Sequence, residues 1–163
     1  MQTKPSKTTV FLLTAGCFLA FFVFGFTDNL KGPTLPSMLA ELGTTYATGG
    51  NIFFGEYLSF LIATLITGIL ADRFGLKSVI ILAGVFLGIG VSGYSTFQTA
   101  ILLSASLFII GMGLGAIELG ANAIIISLYR ERKGLYLNLM AVMHGLGSLV
   151  APLFAGLLLG ISV

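Results

Sequence analysis

Five stretches of the chain are apolar over lengths that suit a bilayer crossing, and short polar segments separate them. A crossing takes about 20 apolar residues. The pattern predicts helical spans near 9–31, 50–71, 78–97, 100–128 and 135–160. Continuous apolar runs do not alternate as the strands of a membrane barrel would. The first run follows Lys4 and Lys7, as the core of a secretory leader does, and Thr14-Ala15-Gly16-Cys17 is similar to a lipoprotein cleavage site. It continues past Cys17 through Phe26, so it reads as a retained helix, with Cys17 as a small buried hydrophobe.

Composition narrows the class. Of 163 residues, 8 are Lys or Arg and 6 are Asp or Glu, which is 9% charged against roughly a quarter in soluble domains. Hydrophobic residues make up 56%, with 22 glycines and a mean hydropathy of +1.05. So little polar surface cannot cover a soluble domain, and so apolar a chain is not disordered. A net charge of +2 is no nucleic-acid footprint. One Cys and one His build neither a zinc site nor a disulfide framework, and no cofactor or metal is expected. The expectation is an all-α integral membrane protein.

Charge sets the orientation. Lys4, Lys7, Arg73, Lys77, Arg130, Arg132 and Lys133 fall on one side of the predicted spans, and Lys31 on the other. The positive-inside rule then puts the N-terminus in the cytoplasm and Val163 outside. Tyr46, Tyr57 and Tyr94 lie toward the outer ends, and Tyr129 and Tyr136 flank the inner 4–5 turn, where amphipathic rings favour the headgroups.

Ionisable groups within spans are costly, so each is a functional candidate. The sequence offers Asp28, Glu56, Glu118 and His144. Glu118 and His144 each lie about nine residues from an inner span end, roughly 14 Å deep. Asp28 and Glu56 are expected nearer the outside, with Asp28 close enough to the end of span 1 to be interfacial. Two levels of polar groups suit a translocation path. Gly111, Gly115, Glu118 and Asn122 share one helical face, where the glycines leave room beside the carboxylate. Glu118 reads as a proton-exchanging group or as helix glue paired with His144 or an amide; His144 as a proton relay or a packed ring. Glu56 shares a face with Ser59, Ala63 and Thr67. Span 3, without an ionisable group, is expected to face lipid, and Gly84-x-x-x-Gly88 on it fits close helix packing. Gly111-x-Gly113-x-Gly115 lies in a span with no strand before it and is no dinucleotide fingerprint. There is no Ser/His/Asp arrangement, so enzyme chemistry is not expected.

The most specific motif is Gly68-Ile-Leu-Ala-Asp72-Arg73-Phe-Gly75-Leu-Lys77, a short charged turn between spans 2 and 3 in which Gly75 permits positive φ. It resembles the signature loop of the major facilitator superfamily, with Leu76 where a basic residue is usual. The resemblance implies that Asp72 latches a cytoplasmic gate, with Gly68, Arg73, Gly75 and Lys77 shaping the loop. Glu118-Leu-Gly-Ala-Asn122 is similar to the span-4 element of the fucose–galactose–proton symporter group. Leu137-Asn138, Gly145-x-Gly147 and Pro152 resemble its span 5, and Asn29-Leu30 with Leu35-Pro36 the end of its span 1. Gly32 stands where that group places a carboxylate, with Asp28 one turn earlier. The Gly147–Gly156 run also resembles the span-5 motif of proton antiporters. The span-4 Arg of drug–proton antiporters is missing.

The resemblance implies five helices of a six-helix N-terminal half, a 3+3 inverted repeat lacking its last helix, in the inner cell membrane. On this expectation residues 1–163 form a partial domain and the C-terminal half is absent. The implied activity is proton-coupled symport of a sugar or similar small polar solute by alternating access. Proton coupling would fall on Glu118, His144 and Asp28, and substrate binding on Asn122, Asn29, Asn138 and Glu56. The partners would be solute, proton, membrane lipid, and a missing half or second copy, with no nucleic acid. A truncated or structural membrane protein that needs a partner half is the competing expectation.

Overall fold

The computed structural model describes residues 6–160. Five helices follow in order: α1 Lys7–Glu41, α2 Tyr46–Phe74, α3 Leu76–Thr96, α4 Ala100–Leu128 and α5 Lys133–Leu159. All five are long and apolar enough to cross a membrane. Large side chains such as Leu157, Ile101, Leu65 and Phe11 stand open on the surface, as lipid-facing residues do. Lys4 and Val163, both used in the orientation argument, lie outside the described residues.

Four spans match their predicted bounds to within a few residues. Span 1 does not: α1 continues ten residues beyond Lys31, through Pro33 and Pro36. Each proline removes one intrahelical donor, yet the helix runs through both. The Thr34 hydroxyl donates to the Lys31 carbonyl at 3.0 Å within the same stretch. After α1 ends at Glu41 the chain turns at Gly43 with φ +57, and Thr45 caps α2 by accepting from the Thr48 N–H at 3.5 Å.

The chain forms two compact units. One comprises residues 31–120 and the other residues 6–30 with 121–160, so α1 and α4 each contribute to both.

In the 31–120 unit, α4 is packed through its glycines. A Cβ on Gly111 would strike the Ser59 hydroxyl and the Glu56 carbonyl, and one on Gly115 the Phe60 carbonyl. Toward α3, Gly90 abuts Ser106 and Ile110, and Gly113 abuts Ala83 and Leu87. Glycine lets these backbones approach where any side chain would hold them apart. Met38, Leu39 and Leu103 close a small core with Leu35, Leu42 and Tyr94 packed on it. α3 thus buries a stripe of Val79, Ala83, Leu87, Gly90 and Gly93 and exposes most of its other positions. One face of it is packed, and the exposed remainder is open to lipid. The packing glycines are Gly90 and Gly93; Gly84 and Gly88 face open space, because they lie off the buried stripe.

In the other unit, α1 crosses α5 where each carries a glycine. Gly25 lies against the His144 carbonyl, and Gly147 against the Phe22 carbonyl. Cys17 is buried, as expected. The Tyr129 and Tyr136 rings stack 3.5 Å apart, and the Thr14 and Tyr129 hydroxyls share a 2.8 Å hydrogen bond.

Candidate functional site

Lys31 forms an ion pair with Glu56 inside the 31–120 unit. Lys31 is 5% exposed and Glu56 1%. The longer α1 accounts for this. Lys31 is ten residues from the end of α1, and Glu56 ten from the start of α2. At 1.5 Å per residue, the pair lies about 15 Å along the helices from the α1–α2 turn, the order of half a hydrocarbon core. One sequence expectation is corrected here. Lys31 is not a charge at the outer end of its span but a buried, paired group within α1, while Glu56 is nearer the first end of α2 than the last.

The surroundings hold the pair dry. Gly111 brings the α4 backbone onto the Glu56 carbonyl, which also accepts from the Ser59 hydroxyl at 2.7 Å. The Lys31 ammonium stands 5.5 Å from the centre of the Tyr57 ring, within reach of its negative face. One turn along α1, the Thr34 and Tyr94 hydroxyls share a hydrogen bond of 2.9 Å. Charge, aromatic face and hydroxyls are therefore concentrated in a segment that is otherwise apolar.

Glu118, on α4, is half-buried. Its carboxylate makes no hydrogen bond or ion pair with the described residues of its own unit.

In the other unit, Asn29 donates to the Gly25 carbonyl at 3.0 Å and to the Ser148 hydroxyl at 2.8 Å. Ser148 in turn donates to the His144 carbonyl at 3.0 Å. The Phe24 ring meets the His144 imidazole edge-on at 4.7 Å. Asn29 and His144 thus take part in one α1–α5 contact, which the sequence spacing did not connect. Asp28 is half-buried and thirteen residues before the end of α1, so it does not stand near the end of its helix as the shorter span implies. Asn122 is half-buried, and Asn138 is exposed near the start of α5.

The 2–3 turn takes the expected form. Gly75 has φ +82 and ψ 150, a conformation essentially reserved for glycine. Its N–H caps α2 by donating to the Ala71 carbonyl at 2.9 Å, and α3 starts at the next residue. Asp72, Arg73 and Lys77 are exposed, Gly68 is half-buried, and the Arg73 guanidinium lies 5.5 Å from the Phe74 ring centre.

Sequence reasoning missed Lys31, Tyr94, Thr34 and Ser148 as parts of polar clusters. The available signal for Lys31 was the opposite charge of Glu56 in the neighbouring apolar run.

Comparison with known proteins agrees with this architecture. The chain is 28% identical over 96% of its length to sodium-dependent glucose transporter 1 of Rattus norvegicus, covering 32% of that protein. It is 26% identical over 86% of its length to the Homo sapiens protein of the same name, covering 27% of it. With bypass of stop codon protein 6 of Saccharomyces cerevisiae it shares 28% identity over 89% of its length and 28% of that protein. The chain thus spans about a third of the length of these relatives. The family profile of the Major Facilitator Superfamily matches residues 17–162. With its five apolar helices and glycine-turned charged loop, the chain is a multi-pass membrane protein and belongs to the major facilitator superfamily.

Proposed function

We propose that this chain is the N-terminal transmembrane part of a secondary transporter that carries a small polar solute of the sugar class. The observation that carries the reading is the buried Lys31–Glu56 pair. Each buried ion costs several kcal/mol to desolvate, and apolar residues of similar volume often serve stability as well or better. Charged groups at membrane depth characteristically lie on ion or substrate paths.

In this reading the solute enters between this helical body and a second one, from the same polypeptide or a second copy, and the two rock by turns. Glu118 exchanges the coupling proton, with His144 and Asp28 as further titratable groups. Asn122 and Glu56 offer hydrogen bonds to solute hydroxyls. Asn29 does so by exchanging its bond to Ser148, and Asn138 acts at the helix mouth. Asp72 latches the loop on the cytoplasmic side, where the N-terminus also lies. The names of the rat and human relatives support the sugar class and raise sodium as the rival coupling ion.

The test is uptake of labelled glucose into proteoliposomes by the protein expressed from its complete reading frame. The expected result is uptake driven by an inward proton gradient and abolished in Glu118→Gln. Uptake that follows a sodium gradient alone, or that survives in Glu118→Gln, overturns the proton assignment. Absence of uptake for glucose and related sugars under both gradients overturns the substrate class.

A further inference from the structure

A cleft of about 590 Å³ lies at the junction of α4 and α5, lined by Ala123, Ile126, Ser127, Arg130 and Lys133. Its floor is apolar and its rim carries two cations. We infer that this cleft is a binding site for an anionic phospholipid, with the phosphate on Arg130 and Lys133 and the first part of an acyl chain along Ala123 and Ile126.

Several observations converge on that occupant. The cleft follows the end of a membrane-spanning helix, so its apolar floor meets hydrocarbon while its rim meets headgroups. Ile126 is 41% exposed, an open surface that acyl chains cover in a bilayer. Arg130 and Lys133 are exposed and make no ion pair with the described residues, so both can donate to a phosphate. The Ser127 hydroxyl is already committed to the Ile124 carbonyl at 2.7 Å, which leaves recognition to the two cations. The turn that presents them is held in place. Tyr129 stacks on Tyr136 and is tied to Thr14 of α1, and the Arg132 N–H donates to the Tyr129 carbonyl at 3.0 Å. Glu131 and Arg132 share the turn and are exposed but do not line the cleft. Their charges cancel, so the local preference for an anion rests on Arg130 and Lys133.

The experiment titrates the detergent-purified full chain with phosphatidylglycerol and with phosphatidylcholine and follows retained lipid by native mass spectrometry. Phosphatidylglycerol is expected to be retained at least about tenfold more tightly, since each basic residue near a lipid surface contributes about fivefold. Arg130→Gln and Lys133→Gln each lower that preference about fivefold. Arg132→Gln, the same loss of charge outside the cleft, leaves it within about twofold. Ala123→Trp fills the floor and weakens phosphatidylglycerol binding with no change in charge. Equal retention of the two lipids overturns the site. So does an Arg132→Gln effect as large as that of Arg130→Gln, which would mark diffuse attraction to the turn. Displacement of the lipid by millimolar inorganic phosphate would identify a free-anion site and also overturn it. Arg130, Arg132 and Lys133 are exposed, so their variants keep the fold, checked by helical circular dichroism.

Discussion

Lys31 of α1 and Glu56 of α2 form a buried ion pair about 15 Å, along the helices, from the turn that joins those helices. The physics of such a pair is asymmetric. Removing one partner strands a charge and costs about 3–5 kcal/mol, whereas replacing both with apolar residues of similar volume is often neutral or stabilising. Lys31→Met and Glu56→Met are each expected to lower unfolding free energy by that order. The double variant should recover most of it. Denaturant titration of all four proteins in detergent closes the cycle. Additive losses would mean that the charges do not interact. If the pair serves transport, the double variant stays folded but does not carry solute.

The glycine-rich composition separates into two kinds of position. Gly25 lies against the His144 carbonyl, while Gly84 and Gly88 have open space around them. Gly25→Ala is expected to force α1 and α5 apart at a cost of about 1–3 kcal/mol, the usual price of overpacking. Gly84→Ala and Gly88→Ala should be neutral or stabilise by up to about 1 kcal/mol, because alanine favours helix. Thermal melts in one detergent, run side by side, compare the three. Destabilisation by Gly84→Ala equal to that by Gly25→Ala would contradict the packing.

The contrast between Gly25 and Gly84 also shows what could be read in the sequence. Apolar run length located four of the five helices closely, and the loop around Asp72 and Gly75 pointed to the family, because both signals are local. Lys31 was hidden for a physical reason. Pro33 and Pro36 usually stop a helix, so a lysine just before them reads as the end of a span. Once α1 continues to Glu41, the same lysine becomes an interior charge, and Glu56 becomes its partner. The Asn29–Ser148 contact joins residues 119 apart in the chain, and spacing along a single helix carries no information about it.

Gly75 carries the turn between α2 and α3 on a backbone that other residues adopt only under strain. Gly75→Ala is expected to cost about 1–3 kcal/mol, by shifting the Ala71 cap or by reorienting Asp72 and Arg73. Hydrogen exchange at the last turn of α2 should rise in this variant while exchange across the α1–α5 crossing stays unchanged. Unaltered exchange at Ala71–Gly75 would mean that the turn tolerates a side chain.

Asn29 tests whether an amide in the membrane holds helices or handles solute. It donates to Ser148 at 2.8 Å next to the closest approach of α1 and α5. Hydrogen bonds between membrane helices average about 0.6 kcal/mol and reach about 1.7. A purely structural Asn29 therefore predicts a loss within that range for Asn29→Ala, a similar loss for Ser148→Ala, and no further loss for the double variant. Solute affinity would then be unchanged in all three. If Asn29 exchanges its bond to Ser148 for one to solute, Asn29→Ala raises the KM for uptake while Ser148→Ala lowers it. Removing the competing acceptor frees the amide. Opposite movements of KM with similar effects on melting are the outcome expected here, and parallel movements would confine Asn29 to holding α1 against α5.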